Sequence, residues 1–165
     1  MKKTFLLIAL FIFAFTLTGC GDGTSDNLKP VKKSGEKEIV CTLKKDFEQY
    51  SISSSYTIYY EGEFVNTVYS KEEVTSSNET FLETVKSNVE ATFKSASSSY
   101  GGYTYKAYID GNKLTSEAVI VYGKMNIEKY IKDDETFASC VDSDNNVLVD
   151  KLKAIYKSGG ATCNG

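Results

Sequence analysis

From Glu38 to Lys44 the chain alternates, with Ile39, Cys41 and Leu43 set against Val40, Thr42 and Lys44. Successive strand side chains point to opposite faces, so this period of two predicts a strand. Asp46 to Gln49 reads as a turn. The alternation then runs on from Tyr50 to Tyr60, with Ile52, Ser54, Tyr56 and Ile58 on one side and Ser51, Ser53, Ser55, Thr57 and Tyr59 on the other. One polar face means a half-buried antiparallel strand. Glu61-Gly62 turns the chain, and Glu63 to Glu73 returns as its partner, carrying Phe64, Val65, Val68 and Tyr69.

The period changes after Thr75. Phe81, Val85, Val89 and Phe93 recur at every fourth residue, which predicts an amphipathic helix. Ser76 with Glu79 fits a capping box, placing the start near Ser77, and Ser97 to Gly102 should end it. Tyr103 to Asp110 and Lys113 to Tyr122 alternate again around Asp110-Gly111-Asn112, a second hairpin. Asn126 to Lys132 reads as a short helix that buries Ile127, Tyr130 and Ile131. A last helix from about Asn146 to Lys157 buries Leu148, Leu152 and Ile155 and stops at Gly159-Gly160. The order predicts an α+β fold: an antiparallel sheet of about five strands, one long helix packed on a face, and short C-terminal helices.

The first residues follow no such period. Lys2-Lys3 precedes an unbroken apolar run from Phe5 to Phe15, and Leu17-Thr18-Gly19-Cys20 follows. A basic head, a short apolar middle and a small residue before the cut make a secretory signal, and the run is short of the ~20 apolar residues of a spanning helix. The ending resembles a bacterial lipobox. That resemblance implies a diacylglycerol on the Cys20 thiol and cleavage before it. The expected organisation is a signal peptide over 1–19, a lipidated flexible tether over 20–37 and a single α+β domain over 38–165. The tether holds Gly21, Gly23 and Gly35, the chain's one Pro and polar residues, with only isolated apolar residues, Leu28 and Val31.

Composition narrows the chemistry. The formal charge is −3, and losing Lys2 and Lys3 makes the exported part more acidic, which argues against nucleic acid as a partner and against adhesion to anionic lipid headgroups through charge. All 19 basic residues are Lys, so no guanidinium fork is present to grip phosphate. There is no His. Ser-His-Asp and Cys-His nucleophilic sites are excluded, as is an imidazole metal site. No catalytic motif or cofactor signature is present, and the expectation is a non-enzymatic protein without a cofactor.

With Cys20 acylated, Cys41, Cys140 and Cys163 remain, so at most one internal disulfide forms. Cys41–Cys163 is the favoured pair because it would tie the first strand to the chain's end. Cys140–Cys163, clasping the last helix, is the alternative, and a three-thiolate metal site lacks any C-x-x-C spacing. Asp142-Ser143-Asp144-Asn145-Asn146 alternates oxygen ligands like a calcium loop. Val147 and Lys153 stand where an EF-hand needs Gly and Glu, so the run is read as a polar loop capping the last helix.

Twelve Tyr and no Trp are present. Tyr56, Tyr60, Tyr103, Tyr105 and Tyr122 alternate with the apolar set and should enter the core. Tyr59 and Tyr108 fall among Thr and Lys on the opposite face, a candidate binding face for peptide, glycan or another protein. The Ser97–Gly102 stretch is a second candidate surface.

Tyr59-Tyr60-Glu61-Gly62-Glu63-Phe64-Val65, the helix, Asp110-Gly111-Asn112-Lys113-Leu114 and Val121-Tyr122-Gly123-Lys124-Met125-Asn126 together resemble the YehR-like family of small bacterial lipoproteins. The likeness is one of layout from Cys41 to about Lys132. This chain departs from it in its extra cysteines and in Val121, where an acidic residue is expected. The resemblance implies an α+β lipoprotein; the family's function is unknown, so it implies nothing about activity. The expected role is a membrane-anchored extracytoplasmic binding module, held by the lipid on Cys20. The rival is a small cell-envelope hydrolase that uses two carboxylates, which would need a concave pocket where two acids converge.

Overall fold

A computed structural model describes the chain from Leu28 to Asn164. Met1 to Asn27, including the expected signal and Cys20, and Gly165 lie outside the described residues. The alternating stretches form β1 (Lys37–Asp46), β2 (Ser51–Glu61), β3 (Phe64–Thr75), β4 (Tyr103–Asp110) and β5 (Lys113–Val121). They pair antiparallel in the order β4-β5-β3-β2-β1. A sixth strand, β6 (Thr162–Cys163), closes the β1 edge through Cys41↔Cys163 and Thr42↔Thr162. Two residues carry too little periodicity to read as a strand, which is why five were expected.

The register places Ile58 beside Val68 and Val68 beside Ile120, so the apolar residues of neighbouring strands share one face. Helix α1 (Glu79–Tyr100) lays Leu82, Val89 and Phe93 across the β4–β5 half of that face. Ile52, Val74 and Leu114 complete the contact with Leu82, and Leu82 and Leu114 are both 1% exposed. Burying such a side chain stabilises the fold by about 1.5–3 kcal/mol. Three shorter helices cover the other half: α2 (Ile127–Asp133), α3 (Glu135–Ala138) and α4 (Val149–Ser158). There Ile58, Val68, Cys41, Cys140, Val147, Leu152 and Tyr156 form the main core. The described helices therefore all sit on one side, and the sheet's other face is left for residues 28–36.

The start of α1 differs from the expected capping box. Asn78 is the cap, its Oδ1 accepting from the Phe81 amide at 3.0 Å. Ser76 instead donates to the Gln49 carbonyl and accepts from the Asn78 amide, tying the β1–β2 turn to the helix entry. Asn78 is the better placed cap because Thr75 still belongs to β3 and Ser76 is engaged with the Gln49 carbonyl. Ser97 to Tyr100, expected as an open loop, are the last turn of α1, and Tyr100 Oη donates to Asp133 Oδ2 at 2.8 Å. The chain then turns through Gly101 and Gly102. A Cβ on Gly102 (φ +75°) would stand 2.8 Å from the Val121 carbonyl oxygen, so that position requires glycine.

The final helix starts later than the sequence implies. Val141 and Val147 form a β-bridge, and α4 begins at Val149 after Leu148, with no side-chain cap from Asn145 or Asn146. Val147, Val149, Leu152 and Tyr156 are buried, whereas Leu148 and Ile155 are half-buried. The aligned apolar positions were right in kind and displaced by the bridge.

Candidate functional site

The described part of the expected tether lies on the sheet. Leu28 is buried against Tyr59 and Tyr69, with Val119 beside them. Tyr59 Oη donates to the Pro30 carbonyl at 3.5 Å. Further on, Glu36 Oε2 accepts from the Lys33 amide at 2.8 Å, and its Oε1 accepts from Asn66 Nδ2 at 3.0 Å. Asn66 is available because β3 carries a bulge: Tyr59 pairs with Thr67 and Tyr60 with Val65, leaving Asn66 out of the ladder. These contacts make residues 28–36 a strap across the helix-free face at the β2–β3 turn end.

Alternation predicts Tyr59 as a solvent-facing binding residue, and the structure differs. It does point to the helix-free face, but the strap and Tyr69 bury it to 2% exposure. Period-two alternation assigns a face, not what covers it. Tyr108 is 45% exposed, with Lys106 Nζ 5.7 Å from its ring centroid. The two do not meet. Tyr108 pairs with Thr115, Thr115 with Glu73 and Glu73 with Ser53, so Tyr59 lies three strands across, ~14 Å, and about 20 Å along β2. Between them Tyr69 is buried beside Glu117, and the Glu117 carboxylate meets Lys106 at 3.2 Å. Burial and that carboxylate push the Tyr69 phenol up to about 12.

Beside the strap is a cleft of about 380 Å³. Its walls are the strap (Lys33, Ser34, Glu36), the β2–β3 turn (Glu61, Phe64, Asn66) and the Asn145–Val147 loop. Backbone pairing brings these together, since the Val65 amide donates to the Val147 carbonyl at 2.8 Å and the Val149 amide to that of Glu63 at 2.9 Å. Asp142 shapes the loop by accepting from the amides of Asp144 and Asn146 and from Asn146 Nδ2. Those donors hold the Asp142 carboxyl below its usual range. Its oxygens therefore serve the loop, and among the described residues no group of three or more acids or cysteines converges as a metal cluster would. Asn145 takes φ 64°, a left-handed conformation that Asn tolerates. Phe64, 43% exposed, gives the cleft an apolar rim.

Two carboxylates, Glu36 and Glu61, line this cleft. Glu36 is held below the usual carboxylate range, first by the Lys33 amide and then by Asn66 and nearby lysines. A general acid needs the opposite shift. A third acid, Glu72, lies on the helix-covered face away from the cleft, where Ser54 Oγ donates to it at 3.0 Å. Burial raises its pKa.

The cysteines follow the favoured pairing. Cys41 and Cys163 form a disulfide between facing residues of β1 and β6. The Asn164 amide adds a bond to the Val40 carbonyl at 3.0 Å, and Asn164 Oδ1 accepts from the Val40 amide. Cys140 is a buried free thiol, pushed up to about 11 by burial. Nucleophilic thiol chemistry needs an exposed thiolate, so Cys140 is a packing residue here.

These features define a small α+β protein with all its helices on one face of an antiparallel sheet. Within that class the chain is similar to the Escherichia coli YehR protein, whose NMR structure superposes with a TM-score of 0.52 at 14% identity, covering 78% of this chain and 92% of that one. A protein from Streptococcus pneumoniae TIGR4, also solved by NMR, matches with a TM-score of 0.48 at 13% identity over 93% of this chain and 99% of that one. The YehR likeness is one of fold, and it agrees with the resemblance read from the sequence. No family model and no curated protein matches the chain.

Proposed function

We propose that this chain is an extracytoplasmic lipoprotein, cleaved before Cys20 and held to the membrane by acyl chains there, that binds a ligand without turning it over. The observation carrying this reading is the N-terminal pattern: Lys2-Lys3, the apolar run and Leu17-Thr18-Gly19-Cys20. The Cys41–Cys163 disulfide supports it, because such bonds persist outside the cytoplasm. The ligand site of this reading is the cleft, where Asn145, Asn146 and Lys33 offer hydrogen bonds beside the ring of Phe64. A glycan or peptide presents that mixture of polar groups and apolar faces. Titrating the protein with cell-wall glycan and peptide fragments, followed residue by residue by NMR, tests it. Shifts should gather at residues 61–67 and 145–147 and vanish in Phe64→Ala. Shifts centred elsewhere would contradict the assignment.

The hydrolase is the second reading, favoured by Glu36 and Glu61 lining one cleft. The ionised, doubly bonded Glu36 weighs against it. Turnover of a cell-wall oligosaccharide that disappears in Glu61→Gln would establish it over the binding module.

A further inference from the structure

The strap shortens the tether and turns one face of the domain toward its anchor. Eighteen residues were expected to be free, 20–37, but the chain is already packed on the sheet at Leu28. Only Cys20 to Asn27 is left to span the distance. At 3.3–3.6 Å per residue this stretch reaches at most about 28 Å, roughly the width of a small domain. The stretch enters the domain at Leu28 on the helix-free face, so that face is the one nearest the point of attachment.

That face carries a matching chemistry at the strap. Val31 is 91% exposed, and Lys29, Lys32, Lys33 and Lys37 around it are exposed as well. The acid among them, Glu36, accepts from the Lys33 amide and Asn66 and lies close enough to Lys32 and Lys33 for their charge to act on it, so it offsets part of the lysine charge and leaves the strap a net excess of positive charge. An exposed apolar side chain flanked in the chain by exposed lysines suits the boundary of an anionic membrane, where lysines meet headgroups and one side chain enters the acyl edge. The formal charge of −3 averages this cluster away.

We propose that residues 29–37 form a membrane-contact surface for anionic phospholipid, a second, electrostatic attachment beside the lipid on Cys20. The inference rests on the lipoprotein reading. The diacylglycerol of that reading already supplies two chains, so the patch acts on the orientation of the domain rather than on its retention. The strap thereby fixes which side of the domain faces the membrane and leaves the helices facing away.

The full-length lipidated protein, purified and reconstituted in vesicles of phosphatidylcholine with about 30% phosphatidylglycerol, tests this by amine-reactive footprinting read by mass spectrometry. Lys29, Lys32 and Lys33 should react at least about fivefold more slowly than in detergent, with the effect lost at high salt and in phosphatidylcholine alone. Lys151 and Lys157, exposed on α4, should be unchanged. A protein that stays with the vesicles while the strap lysines react as in detergent overturns the surface and leaves the anchor standing. Protection in native envelope membranes but not in these vesicles also overturns it, because a protein partner then occupies the strap. A protein that fails to float with vesicles overturns the anchor reading and the surface with it.

Discussion

Removing the Cys41–Cys163 bridge should cost the domain a large share of its stability. The bond joins residues 122 positions apart, across the β1–β6 edge. A cross-link of that span removes loop-closure entropy from the unfolded chain, by about 5 kcal/mol at 25 °C in the chain-entropy model, while measured losses for native bridges run to about 2–5 kcal/mol. The native contacts that would remain are few: two backbone pairs in β6 and the Asn164 bonds. A single domain has only about 5–15 kcal/mol in total. The double variant Cys41→Ala/Cys163→Ala, unfolded in urea beside the oxidised parent, should lose about 3 kcal/mol or more. It should also show a steeper m-value, because its denatured state expands further. Its Tm should fall by about 10 °C. Adding reductant to the parent should reproduce the shift and leave the variant unmoved. Proteolytic mapping of the oxidised parent should recover Cys41 and Cys163 in one linked peptide, with Cys140 alkylated only after denaturation. A Cys140–Cys163 peptide, or a parent whose midpoint ignores reductant, would refute the reasoning.

Three further outcomes follow from named contacts. Leu28→Ala should free the strap, raising the rate of tryptic cleavage after Lys32 and Lys33 severalfold while the global unfolding midpoint moves little, since terminal segments open locally; unchanged cleavage would mean that Leu28 does not hold it. Asn78→Ala should lower stability by about 1 kcal/mol in urea unfolding, whereas Glu79→Ala, which would remove the side chain a capping box needs, should leave it nearly unchanged. Glu72→Gln should stabilise the domain at neutral pH by about 1 kcal/mol. The folded-state pKa of Glu72 is raised by burial, so the parent is penalised above it and relieved as pH falls toward the unfolded value. The gain from Glu72→Gln should therefore shrink on acidification, and a gain that grows toward acid pH would contradict the desolvation account.

The sheet and the long helix were legible because their periods differ and each buries one face: Ile52 to Ile58 at period two, and Phe81 to Phe93 at period four, announce what they pack against. The Cys41–Cys163 pair was legible from the need to secure the chain's end. The cleft was not. Asn66 enters it through a bulge, Glu36 through a strap contact and Asn145–Asn146 through a β-bridge, and each is a long-range event without local pattern. Tyr59 shows the boundary of such reading most clearly. Its face followed from alternation, while its burial depended on Leu28, one apolar residue in a polar stretch that gave no sign of docking. An isolated Leu beside the only Pro was the available signal.

The lipid on Cys20 is the claim on which the rest depends, because it sets the compartment, the oxidised cysteines and the side that faces the membrane. Metabolic labelling with palmitate, run with membrane fractionation of the parent and Cys20→Ser, measures it directly. The parent should carry label, sediment with membranes and shorten by the signal, and Cys20→Ser should lose the label and accumulate uncleaved. An unlabelled parent, or a Cys20→Ser variant that is processed and membrane-bound like the parent, would contradict the account.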